Sequence, residues 1–182
     1  MVTSDPGAAA EASEARGSTL DVEAAVRAVT DPEIPTLSIG DLGIVREVLI
    51  DEDGGSAHVV ITPTYSGCPA MEVIARDVVD AAADQGYAAR VSVSHHPPWT
   101  TDWMSETGRA ALRQLDIAPP APRGESGPVP VTIGRAPHTS AVPCPRCGSA
   151  QTEELARFGT TACKALHRCR ACGDPFDEFK AV

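Results

Sequence analysis

Apolar residues recur along this chain in two periods. Val22, Ala25, Val26 and Val29 fall at helical spacing, after Ser18-Thr19-Leu20-Asp21, which reads as a capping box with Asp in the usual Glu position. That helix stops at Asp31-Pro32, because the residue before a proline is pushed out of the helical region. Two strands are predicted next, Gly43 to Ile50 and Ala57 to Ile61, joined by a hairpin turn around Gly54-Gly55. Met71, Ile74, Val78, Ala81 and Ala82 mark a second helical face that ends near Gly86. Ala89 to Ser94 alternates as a third strand, and Ser105 to Leu115 reads as a closing helix. The order helix, strand, strand, helix, strand, helix implies a small α+β domain, one sheet with packed helices, over residues 18–116. The stretch Asp31 to Gly43, with its prolines, glycines and carboxylates, is predicted as loop.

Between the second strand and the second helix lies Thr62-Pro63-Thr64-Tyr65-Ser66-Gly67-Cys68-Pro69. Pro69 suits the first position of a helix, where its missing N–H has no intrahelical partner. Cys68 is then the expected N-cap, and the positive end of the helix dipole would favour a thiolate there. The alternative is a small, half-buried core thiol. If Asp31 to Asp41 folds over this turn, Asp31, Glu33, Asp41, Thr62 and Thr64 would converge on Cys68. Such a set could hold a transient metal or cluster, or activate a nucleophile. Singly, each of these residues is as well explained by a solvated turn or a strand end.

The composition changes at both ends of this domain. Residues 1–17 are rich in Ala, Ser and Glu, without a basic segment followed by an apolar one, and are expected to be a disordered leader rather than a secretory signal. From residue 117 to 142 prolines accumulate with Gly, Ser and Ala, which predicts a semi-rigid linker. The formal net charge is −10, with 25 acidic against 15 basic residues. The acidity lies before Ser140, so the main body would repel nucleic acid and anionic membranes. No apolar run is long enough to span a bilayer. These features predict a cytoplasmic protein, and in a reducing compartment six cysteines point to metal or catalysis rather than disulfides.

The tail, residues 143–182, carries the strongest chemical signal. Cys144-Pro145-Arg146-Cys147-Gly148 and Cys169-Arg170-Ala171-Cys172-Gly173 are two Cys-x-x-Cys-Gly turns. Two such knuckles facing each other give a closed tetrahedral four-sulfur site, typical of a structural zinc ribbon. Iron in the same geometry is the alternative. A module of about forty residues has little core of its own, so the metal would supply much of its folding energy. Cys163 stands outside the pairs, as a packed thiol or as an accessory thiol whose pKa Lys164 would lower. His167 could stand in for a ligand, but four cysteines already fill the site. There is no Gly-rich phosphate loop, no Ser-His-Asp spacing and no Glu-x-x-His pair, so nothing marks a self-sufficient enzyme.

Several of these segments resemble known families. Asp31-Pro32-Glu33-Ile34-Pro35, Asp41-Leu42-Gly43-Ile44-Val45 and Thr62 through Pro69 resemble the iron–sulfur assembly domain of SufT-type proteins. Pro97-Pro98-Trp99-Thr100-Thr101-Asp102-Trp103, Gly108-Arg109, Ile117-Ala118-Pro119-Pro120, Cys144 to Cys147, Phe158-Gly159, Cys163-Lys164-Ala165 and Pro175 to Lys180 are similar to the PaaD family. The resemblance implies a non-catalytic accessory or maturation subunit of the 1,2-phenylacetyl-CoA epoxidase, a multicomponent oxygenase of aerobic phenylacetate breakdown. It implies the oxygenase and reductase components as partners, with the iron–sulfur assembly machinery a further one. It implies Cys68 as the reactive thiol, flanked by Asp31, Glu33, Asp41, Thr62 and Thr64, taking a transient iron–sulfur cluster or iron. The alternative is a stable structural or electron-transfer subunit using the four-cysteine site. A thiol enzyme acting on a CoA ester is the weakest reading, because no base is paired with Cys68.

Overall fold

The computed structural model describes residues 16–120 and 142–180. The expected leader up to Ala15 and most of the expected linker therefore lie outside the described residues. The chain divides into two compact units, with the boundary between Pro98 and Trp99.

The first unit begins with α1 (Thr19–Ala28). Its capping box is complete: Ser18 Oγ accepts from the Asp21 N–H, and the Asp21 carboxylate accepts from the Ser18 N–H at 3.0 Å. Val22 and Val26 are its buried stripe. The next segment corrects the expectation of a loop. Residues 30–38 form an antiparallel ribbon, β1 (Thr30–Asp31) and β2 (Ile34–Ser38). Asp31 Oδ1 accepts the N–H groups of Glu33 and Ile34 at 2.8 and 3.0 Å, which closes the turn at Pro32. Ile34, Leu37, Ile39, Leu42 and Ile44 are all buried, so this proline-rich stretch supplies core.

A three-stranded sheet follows, in the order β3-β4-β5. β3 (Val45–Asp51) and β4 (Ser56–Ile61) form the expected hairpin. β5 (Ala88–Val93) runs parallel to β4, from Ser56 opposite Ala88 to Ile61 opposite Val93. A parallel neighbour requires a crossover, and α2 (Ala70–Asp84) is that crossover. Ala57, Val59 and Ile61 of β4 and Ala70, Ile74, Val78 and Ala82 of α2 form the buried layer.

The second unit starts with a 3-10 turn (Thr101–Trp103) and α3 (Glu106–Gln114), capped by Ser105 Oγ accepting the Gly108 N–H at 2.9 Å. It continues with β6 (Ile117–Ala118), β7 (Thr152–Ala156), β8 (Lys164–Cys169) and β9 (Pro175–Phe179), in the sheet order β6-β9-β8-β7. Here the expected boundaries at 116 and 143 give way. α3 does not close the first domain, and Ile117-Ala118 is not linker but an edge strand parallel to β9. The physical reason is burial. Trp99, 3% exposed, packs its ring 6.1 Å from that of Phe179. Ala118 joins Val142, Cys144, Cys169 and Phe176 in one apolar cluster. Arg109, also buried, donates to the carbonyls of Thr101 at 2.8 Å and Pro120 at 2.7 Å, and so ties the turn to the strand end.

Candidate functional site

Two groups of cysteines stand in different surroundings. The turn before α2 holds Cys68. Pro69, not Cys68, occupies the N-cap position, and the helix begins at Ala70. The expected cap is thus displaced by one residue, since the ring of Pro69 sits just ahead of the first full turn. The thiol still lies at the helix mouth, with the Ala70 N–H and the Tyr65 hydroxyl directed at its sulfur. A thiolate at rest is nevertheless not what this site favours. Burial pushes the Cys68 thiol up, and the negative charges of Glu33 and Asp31 push the same way against the two hydrogen bonds.

The approach of those carboxylates follows from the β1–β2 ribbon. α2 packs beside β1, which carries Asp31, and the Asp31 turn presents Glu33. Cys68, Asp31 and Glu33 therefore meet electrostatically. Asp41 is placed differently: its carboxylate accepts from Ser38 Oγ at 2.7 Å inside the Ser38–Gly43 turn, and it is not among the groups that shift Cys68. Thr62, directly after β4, is 1% exposed and donates its backbone N–H to Ile44 O at 2.9 Å. Its Oγ1 is buried without a hydrogen-bond partner among the described residues. Thr64 is buried as well. Tyr65 is a site residue that the sequence pattern does not single out, although its place three residues before Cys68 is a visible signal.

The four tail cysteines do converge. The sulfurs of Cys144, Cys147, Cys169 and Cys172 lie within 4.8 Å of one another, with Cys144 to Cys172 at 3.9 Å and Cys147 to Cys169 at 3.5 Å. A tetrahedron with metal–sulfur bonds of about 2.3 Å has edges of about 3.8 Å, so the spacing fits one zinc-sized ion. The knuckles repeat one another. Gly148 donates to Cys144 O and Gly173 to Cys169 O, each at 2.9 Å, with φ of 72° and 85° that favour glycine. Backbone N–H groups of Cys172 and Ala171 aimed at Cys169 help bring its thiol down to about 6. Arg146 spans Asp116 at 3.0 Å and Asp174 at 3.3 Å, which links the first knuckle to the second and to the end of α3.

The remaining tail candidates stand outside the four-sulfur group. Cys163 contacts Thr161 Oγ1 at 3.0 Å and is outside the four-sulfur group. Lys164, expected to act on Cys163, is buried and paired with Asp177 at 3.6 Å. His167 is bonded through Nε2 to Glu178 at 2.8 Å and stacks on Phe176. No helix among the described residues is long and apolar enough to cross a membrane.

Comparisons with known proteins divide the chain in the same way. Residues 20–94 match the model of an iron–sulfur cluster assembly protein family, and residues 128–180 match that of the PaaD zinc beta ribbon domain. An Escherichia coli (strain K12) protein, provisionally named as one of the subunits of 1,2-phenylacetyl-CoA epoxidase, is 40% identical over 163 residues, 89% of this chain and 92% of that protein. The Fe-S protein maturation auxiliary factor YitW of Bacillus subtilis (strain 168) is 37% identical over 94 residues, 50% of this chain and 90% of its own length. The auxiliary factor SufT of Staphylococcus aureus (strain USA300) is 35% identical over 86 residues, 46% of this chain and 96% of its own. With an assembly-type first unit, a four-cysteine ribbon and one relative aligned across nearly its whole length, the chain belongs to the PaaD family.

Proposed function

We propose that this chain is a non-catalytic accessory subunit of a phenylacetyl-CoA epoxidase, and that it assists insertion of iron or an iron–sulfur cluster into an oxygenase component. The observation that carries the reading is the setting of Cys68. A half-buried thiol beside Asp31 and Glu33 is a poor resting nucleophile. The same setting suits a positively charged cargo. The carboxylates attract it, the thiol gives up its proton as the sulfur ligates it, and the Ala70 N–H and Tyr65 hydroxyl then stabilise the bound sulfur. Loading therefore releases a proton and strengthens as pH rises. A half-buried sulfur is reachable by a client, which transient transfer requires.

The ribbon plays a different part. Cys144, Cys147, Cys169 and Cys172 would hold zinc as a closed structural site, which contributes folding energy to the second unit. The auxiliary-factor names of the two shorter relatives support the assembly role, and the name of the longer one supports the oxygenase as client.

The test is the cluster and iron content of the epoxidase components made in cells with this chain, without it, and with Cys68→Ala. The substitution should lower occupancy to the level seen without the chain while leaving its fold intact. Full occupancy with Cys68→Ala would sink the delivery role. Iron with reversible visible absorbance in the four-cysteine site would instead favour an electron-transfer role.

A further inference from the structure

The two edges of the first unit's sheet are built differently. β3 is protected. Its pairing with β4 shifts register between Val45 and Glu47, and Arg46, Glu47 and Asp51 along it are exposed. Bulges and charges of this kind keep an edge from pairing with another chain. β5 has neither protection. All six of its residues run in step with β4, it contains no proline, and Arg90 is its one charged residue. Among the described residues no strand pairs with its other side.

The ladder fixes what that side presents. Ala88 N–H donates to Gly55 O at 2.9 Å, and Ser94 N–H to Ile61 O at 2.8 Å. Backbone groups turn to alternate sides along a strand, so Ala88, Arg90, Ser92 and Ser94 face β4. The N–H and C=O groups of Ala89, Val91 and Val93 then point away from it. The side chains of these three lie on the α2 side of the sheet, because they stand opposite the buried Ala57, Val59 and Ile61. Ala89 and Val91 are half-buried, and Val93 is 48% exposed. An open row of backbone groups thus runs beside an unfinished apolar layer.

The order of residues in β5 is complementary to itself. Laid antiparallel against a second copy, Val91 meets the partner's Val91, and Ala89 meets the partner's Val93. All three outward residues form hydrogen-bonded pairs, and Arg90 stands opposite the partner's Ser92. Setting Val91 opposite the partner's Ala89 would bring the two Arg90 side chains face to face, which is destabilising. Setting it opposite the partner's Val93 would leave Ala89 past the end of the strand. Charge opposes the contact without excluding it. Residues 86–101 and β4 carry no carboxylate, but α2, which packs on β5, carries Glu72, Asp77, Asp80 and Asp84 beside Arg76, none of them buried. Salt screens such repulsion beyond about 8 Å at physiological ionic strength.

We propose that β5 is the contact of a symmetric dimer of this chain, in which two three-stranded sheets join into one of six strands. Such a contact uses the same residues of both copies. The Cys68 turn follows β4 at the Val93 end of the sheet, so the antiparallel arrangement sends the two turns to opposite ends of the joined sheet. The dimer does not depend on the delivery role proposed above.

Sedimentation of the full, metal-loaded chain over a dilution series should show a mass of two chains at high concentration, with association tightening as salt rises. Residue-resolved hydrogen exchange should find the Ala89, Val91 and Val93 amides protected in the dimer and open on dilution, with Arg90 and Ser92 protected throughout. Val93→Lys should weaken association at least tenfold. Adding Ala89→Glu should restore it, because positions 89 and 93 face one another only across the two copies. Circular dichroism and metal content should be unchanged in both variants. A wild-type chain that stays monomeric up to its solubility limit overturns the dimer. A dimer that Val93→Lys leaves intact, or that Ala89→Glu does not recover, overturns the β5 register. A monomer whose Ala89, Val91 and Val93 amides become protected only when the epoxidase components are added overturns the second copy in favour of a client strand.

Discussion

Trp99→Ala separates two accounts of where the ribbon's folding unit begins. Trp99 is 3% exposed and lies against Phe179 of β9, far outside the segment that carries the cysteine knuckles. A tryptophan buries about 200 Å², and at roughly 25 cal/mol per Å² its removal forfeits up to about 5 kcal/mol. An extended reference chain overstates that burial, and measured aromatic-to-alanine losses in cores run about 3–5 kcal/mol. With a urea slope near 1–2 kcal/mol per molar for a unit of this size, the midpoint of the second unit should fall by about 2 M or more. Trp103, the other tryptophan, lies in the same unit and remains as its fluorescent reporter. Among the described residues the first unit holds the 10-residue α1 and the 15-residue α2 against the 9-residue α3 of the second, so the larger part of the 222 nm helical signal, called the α2 transition below, reports the first unit. The expected outcome is an earlier Trp103 transition, accompanied by earlier release of metal to a chromophoric chelator, with the α2 transition unmoved. An unmoved Trp103 transition, or a loss confined to α2, would refute the assignment of Trp99 to the ribbon and restore a boundary near residue 116.

Three further outcomes follow from the sites. Cys144→Ser should reduce the bound metal from about one per chain to almost none and expose the tail to proteolysis, with the α2 signal retained; retained metal would contradict the four-sulfur site. Cys68 should alkylate more slowly than a free thiol at pH 7 to 8 and reach its half-maximal rate above the ordinary thiol value, as read by peptide mass spectrometry. Since its folded value is raised, its contribution to stability is present below the unfolded value and is lost as pH rises through the folded one; fast alkylation at neutral pH would contradict both statements. Thr62→Val keeps the shape and removes a buried hydroxyl with no partner, so thermal stability should rise, by about 1–2 kcal/mol at most. A fall would mean that the hydroxyl is bonded in solution.

What the chain's linear pattern makes legible is local. The Ser18–Asp21 cap, the β3–β4 hairpin and the α2 stripe each depend on neighbours within a few residues, and the structure contains each of them. The paired Cys-x-x-Cys-Gly turns are equally readable, because their geometry is set by the glycine and the spacing rather than by distant contacts. Pattern and structure part where a distant surface decides. Ile34 and Leu37 look like isolated apolar residues among prolines until the first unit's core buries them. Ile117-Ala118 looks like linker until β9, some sixty residues later, supplies its hydrogen bonds. The titration of Cys68 turns on the same distinction. A helix start one residue away predicts a thiolate, and that much is sequence. Burial of the turn and the approach of Asp31 and Glu33 on the β1–β2 ribbon reverse the sign. The amino-acid pattern alone was enough for the paired tail knuckles and for the cap, hairpin and helical stripe of the first unit, through short-range steric and capping preferences. Tertiary structure alone decided which segments fold with which and how charged the Cys68 site rests, because burial and long-range Coulomb interactions exist only once distant parts of the chain have met.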